Sequence, residues 1–555
     1  MPSPLKSVRR TLPSLRGNGW TALVIAIAAL IAAPIVVVLS SVFADSREVW
    51  RDLAVSVLPL YITNSLLLML GVSIGVLALG VGTAWLVTMC RFPGSRIFEW
   101  ALLLPLASPA YLLAYVYTEL LEFYGPVQST LREIFGWSSV GDYWFPNIRS
   151  LEGAIAMLTL VLYPYVYLLA RTAFLEQSVC TLEASRLLGC GPWRSFLKVA
   201  LPLARPAIAA GLALALMETL NDFGTVQYFG VDTFTTGIYR TWFGMGERLA
   251  ASQLAVVLLL FIFCLILLEQ WSRRQTRYYH TSRLEHLSPY QLQGWQAATA
   301  WIVCFLPSGL GFLLPAAILL EMAVANATQT FTNGFWEFAG NSLTLATLTA
   351  ALGVIIALVM AYGLRLRPSL GMNVAVRTAS LGYAVPGAVI AVGVLIPIGR
   401  FDNALDAWMR STFGISTGLL LSGTIAALVF AYLVRFLAIS FNSVEASLSR
   451  IKPNLDDASR SLGHSSTSTL LRVHAPLMSR GLLTAAILVF VDVMKELPAT
   501  LIIRPFNFDT LAVQVYRLAS DERLAQASAP ALAIIAVGIV PVILLSRQMT
   551  YTERR

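Results

Sequence analysis

The feature that most limits the fold of this chain is a series of long segments without a charged residue. Ten segments of at least 18 residues contain no Asp, Glu, Lys or Arg, and two further apolar segments, 204–227 and 480–503, carry acids inside them. A helix needs about 20 apolar residues to cross a bilayer, and continuously apolar segments favour helices over membrane β-strands, which alternate. The sequence therefore predicts an all-α polytopic membrane protein with about 12 transmembrane helices. The ten uncharged segments are 17–44, 53–90, 100–118, 153–170, 249–268, 287–320, 338–364, 378–399, 411–434 and 524–546.

The basic residues indicate how these helices are oriented. The net charge is +9, from 39 basic and 30 acidic residues. Most of the basic residues fall into seven segments that share one side of the membrane if the N-terminus starts inside. The positive-inside rule then predicts that both termini lie in the cytoplasm. Because topology explains this distribution, we expect membrane lipid, and no nucleic acid, as the partner of the basic residues.

The residues that carry catalysis in other proteins are sparse here. The five cysteines form no CxxC pair and the four histidines lack ligand spacing, so neither a disulfide framework nor a tight metal site is expected. The four lysines complete no G-x-x-x-x-G-K-[ST] motif, so the chain is not expected to bind and hydrolyse ATP by that route. No nucleophile–base set stands out. We therefore expect a transport pore rather than an enzyme.

The two halves of the chain resemble each other. Asn64-Ser65-Leu66 recurs at 341–343, and segment 183–203 aligns without gaps on 457–477 with nine of 21 positions identical. Each half contains six predicted spans, and an even number returns the chain to the same side. The halves are therefore expected to be parallel, related by a pseudo-twofold axis along the membrane normal, with a pathway on that axis.

The most similar part of the repeat is a polar loop between the fourth and fifth spans of each half. It predicts two short helices with a turn at Gly189 or Gly463, and Pro192 suits the start of the second helix. Pro202 and Pro476 are then expected to mark the turn into the next span. Such a loop on the cytoplasmic side offers a docking face to a soluble partner.

The loops resemble the coupling motif of binding-protein-dependent ABC transporter permeases, E-A-A-x3-G-x9-I-x-L-P. Spacing is kept in both copies, although Ser replaces the third Ala and Val the Ile, and the second copy also has Asp for Glu and Ala for Leu. The resemblance implies the type I ABC importer permease fold and assigns ATPase coupling to Glu183, Ala184, Ser185, Gly189 and Pro202, and to Asp457, Ala458, Ser459, Gly463 and Pro476.

Segments 218–240 and 495–505 further resemble the fused permeases of ferric-iron importers. This resemblance implies two copies of an ABC ATPase, which hold the ATP and Mg²⁺, and a periplasmic substrate-binding protein. It also implies a multi-pass protein of the bacterial inner membrane that binds no cofactor itself. Because both halves are fused, one copy of the chain is expected to form the pore. The expected organisation is a tail and first span at 1–59, a first permease half at 60–272, a connector and seventh span at 273–336, a second half at 337–548 and a tail at 549–555.

Four acids lie inside the predicted spans. Glu218 and Asp222, and likewise Asp492 and Glu496, are four residues apart, a spacing that puts each pair on one face of a helix. An ionisable residue at the bilayer centre costs roughly 2.5–3.5 kcal/mol even on the gentler scales, so we expect these acids to face a cavity, a partner charge or the outer interface. Our hypothesis is that they line the substrate pathway with Lys495 and contact Fe³⁺ transiently, since hard cations prefer oxygen ligands.

Several alternatives stay open on the sequence alone. The acids could instead brace helices through Lys495, Arg504 or the dipoles of loops. Thiamine, polyamines, phosphonate or sulfate could replace iron as the substrate of an ABC permease. Parallel six-span halves also occur in secondary transporters driven by protons or sodium, and only the paired loops argue against that class.

Overall fold

The computed structural model describes residues 19–44, 47–175, 191–274, 290–331 and 333–553, and these are almost entirely helical. A parallel pair of two-residue strands, β1 Cys90–Arg91 and β2 Tyr290–Gln291, joins the first half to the start of the second. The helices of the first half are α1 Gly19–Ser40, α2 Arg47–Ser56, α3 Leu58–Met89, α4 Ser95–Ala101, α5 Ala110–Leu121, α6 Pro126–Phe135, α7 Leu151–Leu175, α8 Pro192–Ser195, α9 Leu201–Asn221, α10 Gly224–Tyr228, α11 Phe234–Tyr239 and α12 Arg248–Arg274.

The second half repeats this order of long and short helices. Single π-helical turns interrupt both halves, at Phe196–Ala200, Arg240–Gly244, Gly309–Leu313 and Leu470–His474. The helices of the second half are α13 Trp295–Ser308, α14 Leu314–Ala325, α15 Ala327–Thr330, α16 Asn333–Leu366, α17 Leu370–Ala379, α18 Gly387–Phe413, α19 Ile425–Ser449, α20 Asn454–Ser461, α21 Ser466–Thr469, α22 Ala475–Leu477, α23 Ser479–Met494, α24 Pro498–Ile503, α25 Leu511–Ser520 and α26 Leu524–Glu553.

The predicted all-α membrane fold is confirmed. Among the described residues, ten helices are long and apolar enough to cross a membrane, or up to 12 if each of two bent helix pairs counts as one span. The bent pairs are Ser95–Ala107 with Ala110–Phe135, at 90°, and Ser466–Leu477 with Ser479–Met494, at 79°. Both bends fall within segments that the sequence predicted as continuous approaches or spans.

The bounds of two predicted spans are wrong. The uncharged segments 378–399 and 411–434 are replaced by helices α18, which extends to Phe413, and α19, which begins only at Ile425. Helix α18 includes Arg400 and Asp402, and α19 includes Arg435, which the topology had placed in the cytoplasm. A charge inside a helix is tolerated when it is buried against a partner, so a search for uncharged segments cuts these helices at the wrong place.

The internal repeat is visible in the packing. In the first half, α3, α7 and α9 pack on one another, and α16, α19 and α23 do the same in the second. The Asn64 side chain donates to the Asp232 carbonyl at 2.9 Å, and Asn341 donates to the Asp509 carbonyl at 3.0 Å. The π-turns at 196–200 and 470–474 are related by the same offset of 274 residues as the polar loops. The halves therefore share their internal construction as well as their sequence.

The first spans of the two halves are exchanged. Helix α1 packs against α17 and α18 of the second half, while α14 packs against α5 of the first half as well as α26. Close approach at small residues makes this possible, since a Cβ at Gly393 would collide with the Pro34 carbonyl and one at Gly311 with the Leu160 carbonyl. The two halves are thus held together by their outer helices as well as along their shared central face.

The two proline positions behave differently from the prediction. Pro202 lies in the first turn of α9 and the chain continues from Trp193 to Asn221 as one span, so the turn predicted there is wrong. Pro476 does precede the sharp bend at Met478. A proline removes one hydrogen bond donor and crowds the preceding turn. The π-turns at Phe196–Ala200 and Leu470–His474 lie where that crowding falls, and in the first half the helix continues through it.

Candidate functional site: a charged cavity between the halves

A central cavity of about 130 Å³ lies where the two halves face each other. It has room for several water molecules, since one needs roughly 10–15 Å³ on such a measure. Residues from both halves line it, and they include every acid that the sequence singled out, together with both basic side chains of this region: Glu218, Asp222, Asp492, Glu496, Lys495 and Arg435. The expectation that the acids face a cavity or a partner charge is therefore met.

The predicted shared helix face is wrong in both halves. Helix α9 ends at Asn221, so Asp222 has extended backbone angles, and α23 ends at Met494, before Glu496. In each half the first acid lies on the long helix and the second lies in the break that follows it. The four carboxylates still meet at one cavity because the two breaks face each other across the axis.

Asp222 is held by the helix that follows it. Its carboxylate accepts the N–H groups of Thr225 and Val226, both at 3.1 Å, and the Thr225 hydroxyl at 2.9 Å. The hydroxyl of Thr235 donates to the Asp222 carbonyl at 2.7 Å. Asp222 therefore satisfies N–H groups that would otherwise lack partners at the start of α10, as N-cap side chains do.

Glu496 takes the equivalent place in the second half and adds an ion pair. Its Oε1 accepts Arg435 Nη1 at 2.7 Å and the Ala499 N–H at 3.1 Å. The side chains of Arg435 and Glu496 are each only 5% exposed. A Cβ at Gly387 would lie 2.5 Å from both Arg435 Nη1 and Glu496 Oε1, so only glycine lets α18 begin against this pair.

The remaining cavity groups are held less tightly. Lys495 Nζ lies 3.0 Å from Asp492 Oδ1, with both side chains about a quarter exposed. Glu218 accepts the Asn221 amide at 3.5 Å, and the Asn221 oxygen accepts the Gly387 N–H of the other half at 2.9 Å. Among the described residues neither Glu218 nor Asp222 has an ion-pair partner, whereas Arg435 and Lys495 each have one. The formal charge of the six groups is therefore negative.

Arg435 and the cavity tyrosine Tyr111 were missed by the sequence reasoning. Arg435 lay at the end of an uncharged segment and was assigned to a loop, although a helix that begins ten residues earlier would have placed it in the membrane. Tyr111 is 5% exposed, lines the cavity and has no hydrogen bond partner for its hydroxyl. Arg504, considered as a partner for the acids, instead pairs with Asp509.

The second polar loop has the predicted helix–turn–helix form. Helix α20 ends at Ser461, Gly463 has a φ of +82°, and α21 starts at Ser466 with the Ser465 hydroxyl as its cap. Asp457 and Ala458 are exposed on α20, while Ser459 is buried and its hydroxyl lies 2.7 Å from that of Thr469. In the first copy, Glu183, Ala184, Ser185 and Gly189 lie outside the described residues.

A polar cluster anchors the second loop to the spans above it. Arg365 at the end of α16 donates to Asp456 Oδ2 at 3.0 and 2.6 Å and to the carbonyls of Leu448 and Ile451. The fully buried His474 lies 2.8 Å from Asp456 Oδ1. Burial alone would raise the pKa of the Asp456 carboxyl, but the hydrogen bonds from Arg365 and His474 outweigh it and lower that pKa.

The described residues contain no group of three or more His, Cys, Asp and Glu arranged to hold a metal ion. His464 lies beside the Ser468 hydroxyl in the loop and His474 belongs to the Asp456 cluster, whereas His280 and His286 fall outside the described residues. The cavity carboxylates are thus a set of separately held oxygens along a path.

Comparison with known proteins supports a transport role. Residues 75–278 match a family described as the binding-protein-dependent transport system inner membrane component. The chain is 26% identical to the Fe(3+)-transport system permease protein FbpB 2 of Haemophilus influenzae over 88% of this chain and 89% of that protein. It is 25% identical to the ferric transport system permease protein FbpB of Actinobacillus pleuropneumoniae over 84% of this chain and 69% of that one.

A shorter relative clarifies the repeat. The molybdenum transport system permease protein ModB of Escherichia coli is 26% identical over 36% of this chain but over 87% of its own length. A single half of this chain thus corresponds to nearly all of a smaller permease, as expected if two such units are fused.

Proposed function

We propose that this inner-membrane transport permease carries ferric iron into the cytoplasm as the pore subunit of an ATP-driven importer. The observation that supports the proposal most directly is the set of four carboxylates around one cavity between the halves. Carboxylate oxygens suit a hard trivalent cation. The two ferric permeases that resemble this chain over most of its length point to the same substrate.

The balance of charge in the cavity favours a cation over an anion. Arg435 and Lys495 are each paired with an acid, so they offer little free positive charge. Glu218 and Asp222 have no such partner among the described residues and leave the cavity negative. A conduit must also release its cargo, and carboxylates fixed singly by backbone N–H groups provide contacts without a complete coordination sphere.

Transport systems of this type combine the permease with a substrate-binding protein and an ATPase. For this chain we propose two ATPase copies, one on each polar loop, with ATP and Mg²⁺ bound by them. The termini would lie in the cytoplasm and the binding protein would dock on the periplasmic side. The fusion of both halves makes one copy of the chain sufficient for the pore.

The exchanged outer helices suggest how the loops act on the cavity. The Asp456 cluster fastens the second loop to α16 and α19, and α19 carries Arg435 into the cavity. The hydrogen bond from Gly387 to Asn221 joins the halves beside the same cavity. A displacement of the loops by the ATPase would therefore move groups that close the pathway.

Uptake of radiolabelled ferric iron tests the proposal. The permease is reconstituted with its ATPase and binding protein in proteoliposomes, and ATP-dependent accumulation is expected. The variant E218Q/D222N/D492N/E496Q is expected to lose uptake while eluting as a folded complex. The matched control E133Q/E321Q/E337Q/E445Q removes four exposed acids from elsewhere and is expected to transport normally.

An oxyanion is the competing substrate, since a molybdenum permease is among the relatives and two basic groups line the cavity. The same proteoliposomes are therefore tested with molybdate and phosphonate. Accumulation of either one, with ferric iron ignored, would overturn the iron proposal. Accumulation driven by an ion gradient without ATP would overturn the importer mechanism.

A further inference from the structure

A second recess, of about 630 Å³, lies at the inner end of the second half, far along the chain from the cavity acids. It is formed where α19 ends, where α20 begins and where α23 starts after the bend at Met478. Three basic side chains line it: Arg450, Lys452 and Arg480. Apolar side chains complete the lining, among them Leu455, Leu477 and Met478.

The three basic side chains have no partners of their own charge type. All three are exposed, none forms an ion pair among the described residues, and no acid lines the recess. The nearest acid along the chain, Asp456, is turned away to Arg365 and His474. Like charges gathered without a counter-charge repel one another, so the recess is complementary to an anion.

The position of the recess suggests where that anion comes from. Helix α19 is a membrane span that ends at Ser449, just before Arg450. The segment Ser466–Leu477 meets the next span at 79°, so it runs close to the membrane plane. Leu477 at the end of that segment is 61% exposed and Leu455 is 41% exposed. Basic groups beside exposed apolar side chains at a span end match the boundary between head groups and acyl chains.

The repeat shows that the recess is not a general requirement of this loop. At the offset of 274 residues, Arg450, Lys452 and Arg480 correspond to Glu176, Ser178 and Pro206. The first half therefore carries no basic residue at any of the three positions. A charge cluster needed only to orient the chain in the membrane would be expected in both halves.

We propose that this recess binds the phosphate head group of an anionic phospholipid of the inner leaflet, with an acyl chain lying over Leu477 and Leu455. The site is separate from the substrate pathway and does not depend on the identity of the cargo. The lipid would sit against α20, the helix of the second polar loop, and so would stabilise that loop at the height of the membrane surface.

The test is native mass spectrometry of the purified full-length chain with phosphatidylglycerol or phosphatidylcholine added. The wild-type chain is expected to retain phosphatidylglycerol in preference to phosphatidylcholine. In R450Q/R480Q its affinity for phosphatidylglycerol is expected to fall about thirtyfold, because each basic residue near an anionic surface contributes roughly a factor of five. The variant R450K/R480K keeps the charge and is expected to bind nearly as well.

The control is R460Q/R472Q, which removes two exposed arginines of the same loop that do not line the recess. It is expected to bind phosphatidylglycerol like the wild type. An equal loss in this control, or no preference of the wild-type chain for phosphatidylglycerol, would overturn the proposal. The wild-type comparison also keeps the proposal testable if R450Q/R480Q fails to fold.

Two further arms distinguish other sources of the same chemistry. Inorganic phosphate that binds the lipid-free chain and displaces phosphatidylglycerol would assign the recess to a soluble phosphate. Loss of the ATPase subunit from R450Q/R480Q with unchanged lipid binding would assign it to a protein contact. Either result would overturn the lipid assignment.

Discussion

At the scale of single residues, the ion pair between Arg435 and Glu496 is the contact on which the cavity wall depends most. Removing one partner leaves the other charged and buried, which costs about 3–5 kcal/mol. We expect R435M to lower the melting temperature strongly in a detergent thermal-shift assay. The double variant R435M/E496M is expected to recover much of that loss, because no unpaired charge remains.

Transport separates the structural part of this pair from its part in the pathway. If Glu496 contacts the cargo, the stable double variant should still import iron poorly. A double variant that is both stable and fully active would mean that the pair only braces the cavity wall.

Asp222 allows a sharper separation, because its amide analogue can keep the capping contacts. Asn accepts the N–H groups of Thr225 and Val226 as Asp does, whereas Ala does not. We expect D222A to lose about 1 kcal/mol of stability and D222N to lose little. Uptake assays should show both variants impaired, since both remove the charge. Normal uptake by D222N would limit Asp222 to capping.

These residues also show how far the sequence predicts the site. The rule that buried charges need a reason placed Glu218, Asp222, Asp492 and Glu496 at one cavity before any coordinates were considered. The same counting of charges moved Arg435 out of the membrane, because a charged residue was taken to end a span. Whether a buried charge has a partner depends on contacts between helices, and such contacts are invisible in a single helix pattern.

At the scale of secondary-structure elements, the Asp456 cluster predicts a pH dependence. The pKa of Asp456 is lower in the folded protein, so its stabilisation is present above the ordinary carboxyl pKa of about 3.9 and is lost as the pH falls through its lowered value. We expect D456N to melt below the wild type at pH 7, with the difference shrinking toward zero in acid. A difference that stays constant across this range would contradict the role of the charged form.

The turn at Gly463 is the second element to test. Its φ of +82° lies in the left-handed region, where a side chain costs roughly 1–2 kcal/mol. We expect G463A to reorient α20 against α21 and to reduce the amount of ATPase that co-purifies with the permease. The control G371A adds a methyl group in open space on a regular helix and should leave co-purification unchanged.

Helix breaks were the elements that the sequence predicted least well. The proline in each polar loop signals a turn equally, yet the span continues through Pro202 while a 79° bend follows Pro476. Both copies absorb the proline with a π-turn, so proline alone does not decide the outcome. The bend depends on what each helix packs against, and in the second half the Asp456 cluster holds the loop side in place.

At the scale of the whole molecule, two pseudo-equivalent halves differ in the features that matter for function. The cavity pairs Asp222 with Glu496 by position, but only the second acid has an arginine, because Val161 occupies the place of Arg435 in the first half. The Asp456 cluster likewise has Thr88, Leu182 and Ala200 at its corresponding positions. The repeat therefore supplies a shared framework, and its divergence makes the second half the more polar partner at both ends.

The exchange of outer helices leads to a prediction about assembly. Because α1 packs on α17 and α18, and α14 on α5, each half lacks part of its own covering when it is alone. We expect two fragments, divided within 275–289 and expressed together, to co-purify and to support uptake. Removing residues 1–43 from the first fragment should sharply reduce co-purification, because the face of α18 around Gly393 loses the helix that contains Pro34. Removing only residues 1–18, which precede α1, is the control and should leave assembly intact. Equal recovery of the second fragment with and without α1 would show that the central face alone holds the halves together.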